Sequence, residues 1–121
     1  MLKLDHISKN YDRAILSDLQ IEFEPNKLYV LKGVSGSGKS TLLNIISGMD
    51  HEYGGSIIYD GIMLNQSDGD FRERYMKQIG YVFQHSLLYA HLTVKENLLF
   101  FVQDTERIEA YARTLQVSHL L

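Results

Sequence analysis

A glycine-rich segment over residues 33–41 carries the clearest chemistry in the sequence. It reads Gly33-Val34-Ser35-Gly36-Ser37-Gly38-Lys39-Ser40-Thr41 and matches the pattern G-x-x-x-x-G-K-[ST] at every required position. Glycines permit backbone dihedrals in which successive N–H groups point inward, and they let the backbone approach a ligand closely. The segment therefore predicts a loop that binds the phosphate groups of a nucleotide.

The side chains at the end of this segment predict how the phosphates are bound. The Lys39 ammonium would reach the β- and γ-phosphates, and the Ser40 hydroxyl would ligate Mg²⁺. A helix that begins near Lys39 would add its free N–H groups and the positive end of its dipole. A Gly/Ser loop that only turns a strand into a helix has no need of a Lys-Ser pair in this register.

The flanking elements fit this chemistry. Residues 28–31 form a short apolar run that predicts a fully buried strand leading into Gly33. After the loop, the apolar positions between Lys39 and Ser47 predict a helix that Gly48 terminates. A phosphate loop between a buried strand and a helix indicates an α/β fold.

The rest of the sequence predicts further elements within one domain, residues 1–121. The β-elements are an antiparallel element in residues 2–23, a hairpin that turns at Asp60-Gly61, and a buried strand over 79–83. The helices are one over 71–78, one that begins with a capping box formed by Thr93 and Glu96, and an amphipathic one over 106–116. The apolar run 98–102 is predicted to lie in the core. Ile108, Tyr111, Ala112 and Leu115 share one side of the last helix.

Composition excludes several classes of function. The chain has 121 residues, with 12 Lys+Arg against 15 Asp+Glu, and this net charge of −3 offers no electrostatic footprint for nucleic acid. Cysteine is absent, so there is neither a disulfide framework nor a zinc-thiolate cluster. The five histidines show no H-x-x-x-H spacing, which argues against a protein metal site. No apolar run has the length of a membrane span.

Residues 57–60 superficially resemble the Walker B strand of nucleotide-binding proteins, an apolar run that ends in a metal-binding Asp. Gly61 follows Asp60 where a catalytic Glu would be expected. A hairpin turn is the better interpretation.

Three further features extend the pattern. Tyr11 precedes the glycine-rich segment, Gln84 follows the apolar run 79–83, and residues 92–98 read L-T-V-K-E-N-L. With residues 33–41, they make the sequence resemble the N-terminal half of the nucleotide-binding domain of an ATP-binding-cassette (ABC) transporter. That family has a P-loop NTPase core with an N-terminal antiparallel β-subdomain.

The resemblance implies roles for these residues. Tyr11 matches the aromatic residue that stacks on adenine, and residues 33–41 match the phosphate loop for ATP and Mg²⁺. Gln84 matches the Q-loop glutamine, whose amide reaches Mg²⁺ and the attacking water and whose loop contacts the membrane subunit. Residues 92–98 are similar to the run L-T-V-x-E-N-[LV] that opens the helical subdomain, and residues 86–91 are then expected to face the membrane subunit.

The resemblance also implies partners and a location. A transmembrane permease subunit or domain and a second nucleotide-binding domain in a head-to-tail dimer are expected, with the protein cytoplasmic and peripheral on the inner face of the cell membrane. Residues 35–44, 79–84 and 92–97 look like the bacterial exporters of lipoproteins, macrolides and antimicrobial peptides, which suggests export of a peptide, lipoprotein or drug. Val34 stands where many of that group have Pro.

Several family motifs have no match in the sequence. These are the L-S-G-G-Q signature, Walker B with its catalytic Glu, the D-loop and the switch histidine. The chain is therefore expected to be a partial domain, truncated before the signature and unable to hydrolyse ATP alone. The strands that the family fold places between 28–31 and 79–83 would be missing, so these two runs are expected to lack neighbours.

Two other classes of function remain open at this point. One is a different phosphate-loop enzyme such as a small-molecule kinase, which would need an Arg-rich substrate lid; the stretch 71–77 supplies only Arg72 and Arg74. The other is a non-catalytic nucleotide-binding or partner-binding module.

Overall fold

The computed structural model describes residues 1–66, 68–85 and 87–121. The chain divides into two compact units, Met1–Tyr81 and Val82–Leu121. The first unit contains the glycine-rich segment and Tyr11, and the second contains Gln84 and the L-T-V-K-E-N-L run.

The first unit is built on a four-stranded antiparallel sheet. Its strands are β1 (Leu2–Asn10), β2 (Ala14–Phe23), β3 (Gly54–Tyr59) and β4 (Ile62–Met63), in the order β2-β1-β3-β4. The antiparallel opening and the hairpin predicted from the sequence are thereby confirmed. Asp60 (φ 48°) and Gly61 (φ 81°) both have the positive φ that a two-residue hairpin turn requires, so Asp60 belongs to a turn.

Two helices accompany the sheet in the first unit. Helix α1 (Lys39–Ser47) has the predicted bounds, and Gly48 ends it with φ 80° while donating its N–H to the carbonyls of Asn44 and Ile45. Helix α2 (Gly69–Lys77) begins two residues before the predicted start, because Asp68 caps it by accepting the Phe71 N–H at 2.8 Å. The sequence also predicts a polar loop over residues 65–70; residue 67 lies outside the described residues, and Gly69 and Asp70 belong to α2.

The core of the first unit joins the sheet to α1 and α2. Its buried members are Leu4, Ile7, Leu42, Ile45, Ile57, Leu64 and Tyr75. Leu42 and Ile45 lie three residues apart on one face of α1, and burying each contributes roughly 1.5–3 kcal/mol. Tyr75 on α2 donates its hydroxyl to the Ile46 carbonyl at 2.6 Å, and burial raises the pKa of that phenol. These contacts fix the helix that carries the glycine-rich segment.

The second unit contains α3 (Val94–Phe101) and α4 (Thr105–Thr114), and a 3₁₀ turn follows at Ser118–Leu120. The predicted capping box at the start of α3 is confirmed: Thr93 Oγ1 accepts the Glu96 N–H at 3.2 Å, and Glu96 Oε2 accepts the Thr93 N–H at 2.8 Å. Buried Asn97 completes the run by donating to the carbonyls of Tyr89, Leu92 and Thr93 at 3.0–3.2 Å. Asn97 therefore ties the chain before α3 to its first turn.

The two predicted buried strands are corrected. Residues 28–31 and 79–83 belong to no strand in the part of the chain that the structure describes, and Leu28, Val30 and Val82 are 92%, 72% and 95% exposed. An apolar run becomes a buried strand only where neighbours form a ladder with it. The described sheet ends at β2 and β4, and neither run joins it.

The core prediction for the second unit is also corrected. Leu98, Phe100 and Phe101 are 42%, 63% and 73% exposed. On the apolar side predicted for α4, Ile108 and Ala112 are buried, whereas Tyr111 and Leu115 are exposed. A unit of 40 residues can bury only a small part of its apolar surface, so much of the surface of these two short helices stays exposed.

Candidate functional site: a phosphate loop beside a hairpin turn

The glycine-rich segment adopts a loop whose conformation depends on its glycines. Gly36 has φ 79° and Gly38 has φ 91°, a region that side-chain-bearing residues rarely adopt. Gly33 has ordinary dihedrals, but a Cβ there would lie 2.5 Å from Ser37 Oγ. The Ser37 N–H donates to the Val34 carbonyl at 3.2 Å and closes a turn inside the loop. Gly36 and Gly38 are thus required by their dihedral angles, whereas a side chain at Gly33 would displace the Ser37 hydroxyl.

Lys39 places its positive charge on the loop. Its ammonium donates to the carbonyls of Gly33 and Val34, both at 2.7 Å, and lies 3.3 Å from Ser37 Oγ. All three acceptors are neutral, and a phosphate oxygen is a stronger partner for an ammonium because charge-assisted hydrogen bonds are about twice as strong. The geometry therefore supplies a cation that a phosphate can attract from the loop carbonyls.

The start of α1 favours an anion. Gly38 is its N-cap, no side chain caps the helix, and no acidic residue lies in the first turn. The free N–H groups and the positive end of the helix dipole are therefore left for an external acceptor. Ser40 is exposed in this first turn and Thr41 is half-buried. A hydroxyl beside a triphosphate is a suitable oxygen ligand for Mg²⁺, so the donor set fits the predicted metal.

The structure brings the start of β2 against this loop, with Arg13 of the β1–β2 turn nearby. An added Cβ at Gly38 would lie 2.9 Å from Ile15 Cγ2 and 3.0 Å from Leu16 Cδ2, and one at Gly36 would lie 3.9 Å from a guanidinium nitrogen of Arg13. Sequence reasoning gave Arg13 no role and treated Ile15 only as a residue of a predicted strand. The available signal was their position, two and four residues after Tyr11 along the chain.

Tyr11 stands in that turn as an exposed aromatic residue. Its side chain is 60% exposed, and its N–H donates to the Arg13 carbonyl at 3.0 Å. Tyr11 and the glycine-rich loop therefore belong to the same compact unit, and β2, which begins three residues after Tyr11, approaches the loop at Gly38.

Gln84 belongs to the second unit, where it is exposed at a bend after residues 79–83. Its role toward Mg²⁺ and water stays a prediction. Of the loop expected to face a membrane subunit, residue 86 lies outside the described residues, and Leu87 and Leu88 are 69% and 68% exposed. Among the described helices, none is both long and apolar enough to cross a membrane.

Fold and site together define a nucleotide-binding protein of the phosphate-loop type. The family model for ABC transporters matches residues 16–121. The chain belongs to the ABC transporter family, whose ATP-binding domains bind ATP, typically with Mg²⁺, dimerise and pair with transmembrane components.

Curated relatives and solved structures agree with this assignment. The chain is 40% identical over 100 residues to the sulfate/thiosulfate import ATP-binding protein CysA of Ralstonia nicotianae, covering 82% of this chain and 26% of the relative. It is 36% identical over 121 residues to CysA of Gloeobacter violaceus, covering 98% of this chain and 34% of the relative. A dimeric structure of the ATP-binding cassette MJ0796 bound to ADP and Pi superposes with TM-score 0.72 at 31% identity, over 94% of this chain and 55% of that one.

The chain thus spans about a quarter to a third of these curated relatives and about half of the solved cassette. The predicted fold class is confirmed. The prediction of an exporter gains no support, because the named CysA relatives are import ATP-binding proteins.

Proposed function

We propose that this chain binds ATP with Mg²⁺ at residues 33–41, as the nucleotide-binding part of an ABC transporter ATPase. The observation that carries the proposal is the Lys39 ammonium, held over the loop by neutral acceptors at the uncapped start of α1. Lys39 would bind the β- and γ-phosphates, Ser40 would ligate Mg²⁺, and Tyr11 would stack on the adenine. Gln84 would link the bound Mg²⁺ and the attacking water to a permease.

The transport role is part of the same proposal. The whole protein would couple ATP binding and hydrolysis to movement of a substrate across the membrane, at the inner face, with a transmembrane permease and a second nucleotide-binding domain. No segment of the 121 residues matches the signature or Walker B, so the roles proposed for these residues are binding and positioning. The exporter-like stretches favour a peptide, lipoprotein or drug as substrate, whereas the names of the relatives favour imported sulfate or thiosulfate.

The contacts of Arg72 and Arg74 argue against the small-molecule kinase alternative. Arg72 donates to the Leu64 carbonyl at 3.3 Å, and the Arg74 guanidinium lies 5.8 Å from the centre of the Phe71 ring. Both side chains contact their own unit instead of forming a substrate lid.

The test is nucleotide affinity, measured by calorimetry. Lys39→Ala is expected to weaken ATP binding about tenfold or more, because it removes charge-assisted bonds to the phosphates. Lys32→Ala is the matched control: it removes the same charge from an exposed lysine just before the loop, and ATP affinity should be unchanged. Equal affinity of the Lys39→Ala variant and the wild type for ATP would refute the loop assignment.

A second arm tests the adenine contact. Tyr11→Ala is expected to weaken ATP binding and to leave pyrophosphate binding unchanged, since only ATP has a base to stack. Equal losses for the two ligands would remove the stacking role of Tyr11 while leaving the phosphate loop in place.

A further inference from the structure

A buried lysine lies directly behind Tyr11. The Lys9 side chain on β1 is 6% exposed, which is rare for a charged group unless it is paired. Its ammonium lies 3.0 and 2.9 Å from the two carboxylate oxygens of Asp50 and donates to the Glu52 carbonyl at 2.5 Å. The pairing with Asp50 raises the pKa of Lys9, so the side chain is charged throughout the physiological range.

Asp50, the partner of Lys9, also accepts a hydrogen bond from the backbone. One of its oxygens accepts the Glu52 N–H at 2.9 Å. Burial raises the pKa of Asp50, but the hydrogen bonds from Lys9 and from the Glu52 backbone, together with the charge of Lys9, outweigh burial and leave that pKa lowered. Asp50 is therefore a fixed carboxylate.

The Lys9 ammonium also lies 5.1 Å from the centre of the Tyr11 ring, within cation–π distance. Tyr11 is thus held by the cation at its ring and by its own N–H, which donates to the Arg13 carbonyl, although the residue is 60% exposed. A ring that is exposed and yet fixed offers a ready surface for a flat ligand, because little side-chain entropy remains to be lost on stacking.

The ion pair connects the two parts of the proposed nucleotide site. Lys9 lies on β1 just before the turn of Tyr11, and Asp50 lies 41 residues later, three residues beyond the end of α1. Helix α1 begins at the phosphate loop. The Lys9–Asp50 pair therefore joins the strand that carries the aromatic ring to the helix that carries the phosphate loop.

We propose that Lys9, held by Asp50, is a positioning residue for the nucleotide base: it fixes the Tyr11 ring at a set distance from the phosphate loop. This role rests on the proposed function, because only a bound nucleotide supplies a base for the Tyr11 ring to bind. Lys9 touches no part of the nucleotide. It acts through Tyr11, and its loss should affect ligands that carry a base.

The experiment compares ATP and pyrophosphate affinities for the wild type and Lys9→Met, which keeps the length of the side chain and removes its charge. ATP affinity is expected to fall about three- to tenfold, the range of cation–π energies, with pyrophosphate affinity unchanged. Lys9→Arg should restore ATP affinity to within about twofold of the wild type, since a guanidinium retains both the ion pair and the cation–π contact. Lys3→Met is the matched control, because Lys3 also lies on β1 but pairs with Asp5 and Glu22.

The outcomes separate this proposal from the function on which it rests. The positioning role is overturned if Lys9→Met leaves ATP affinity unchanged, or if this variant loses equal affinity for ATP and for pyrophosphate. The stacking role of Tyr11 still stands in that case, provided that Tyr11→Ala weakens ATP binding and not pyrophosphate binding. Should Lys9→Met fail to fold, the wild type still decides by NMR: nuclear Overhauser effects between the Lys9 side-chain methylene next to the ammonium and the Tyr11 ring are expected. Their absence overturns the proposal.

Discussion

The charge of the His6 side chain on β1 depends on one neighbouring residue, Asp18 on β2. His6 on β1 has φ 55°, and its Nδ1 atom makes a short hydrogen bond to a carboxylate oxygen of Asp18 on β2. The hydrogen bond to Asp18 and the charge of that carboxylate raise the pKa of His6 above 6.5. The pair is exposed, so solvent and salt weaken its contribution to stability.

The raised pKa predicts a pH dependence. The folded state binds the His6 proton more tightly than the unfolded state, so the stabilisation is fully present below pH 6.5 and is lost as pH rises through the folded pKa. Asp18→Asn should lower the pKa of His6 toward 6.5 and remove this contribution. An NMR titration of the His6 ring measures the pKa, and urea midpoints at low and high pH measure the stability.

Glu22→Gln is the control for this prediction, because Glu22 also lies on β2 but pairs with Lys3. It should leave the pKa of His6 in place. An unchanged pKa of His6 in Asp18→Asn would contradict the assigned cause.

At the scale of elements, the β1–β3 pairing depends on a bulge. The register shifts between Asp5 and Ser8 on β1, where His6 has its positive φ. Gly55 on β3 lies opposite with φ 89°, and a Cβ there would collide with the backbone carbonyl of His6. β1 and β3 therefore approach each other more closely at this point than side chains allow.

This close approach predicts a position-specific cost for alanine. Gly55→Ala should destabilise the protein by about 2–3 kcal/mol, because dihedral strain adds to the collision. Gly61→Ala is the matched control: Gly61 also has positive φ, 81°, but a Cβ there meets nothing within 4 Å, so only the strain of about 1 kcal/mol is expected. Urea unfolding of the three proteins measures both costs, and equal costs at the two glycines would contradict the close contact.

Elements with local signals were predictable from the sequence. Gly48 ends α1 at the predicted residue, and Thr93 with Glu96 starts α3, because a cap is determined by residues within one turn of the helix end. The prediction of a strand over 28–31 was wrong, because a strand needs hydrogen bonds to a neighbouring strand, and the residues of the run itself cannot supply them.

The residues of the candidate site also differ in whether the sequence could predict them. The phosphate loop could be predicted because its ligand-binding groups are consecutive in sequence. The Lys9–Asp50 pair could not, because its members are 41 residues apart and only the packing of α1 against the sheet brings them together. The approach of Ile15 to Gly38 likewise follows from the path of β2 past the loop.

At the scale of the whole molecule, the run 28–31 leaves apolar surface open. Its exposure alternates: Leu28 and Val30 are 92% and 72% exposed, whereas Tyr29 and Leu31 are 45% and 44% exposed. Tyr29 lies edge-on to Phe23 with ring centres 5.0 Å apart, and its hydroxyl accepts the Glu24 N–H at 2.9 Å. Tyr29 and Leu31 therefore pack partly on the first unit, whereas Leu28 and Val30 face solvent.

This open face predicts self-association of the chain. Leu28 and Val30 are exposed apolar side chains two residues apart, and burying such surface gains about 25 cal/mol per Å². The double variant Leu28→Lys/Val30→Lys should therefore show less association at high concentration in sedimentation velocity, with an unchanged far-UV spectrum because neither side chain lies in the core. Ser17→Lys/Gln103→Lys adds the same two charges at exposed polar positions and is the control for repulsion alone. A similar decrease in both double variants would assign the effect to net charge, and undiminished association in Leu28→Lys/Val30→Lys would show that this face is not the contact.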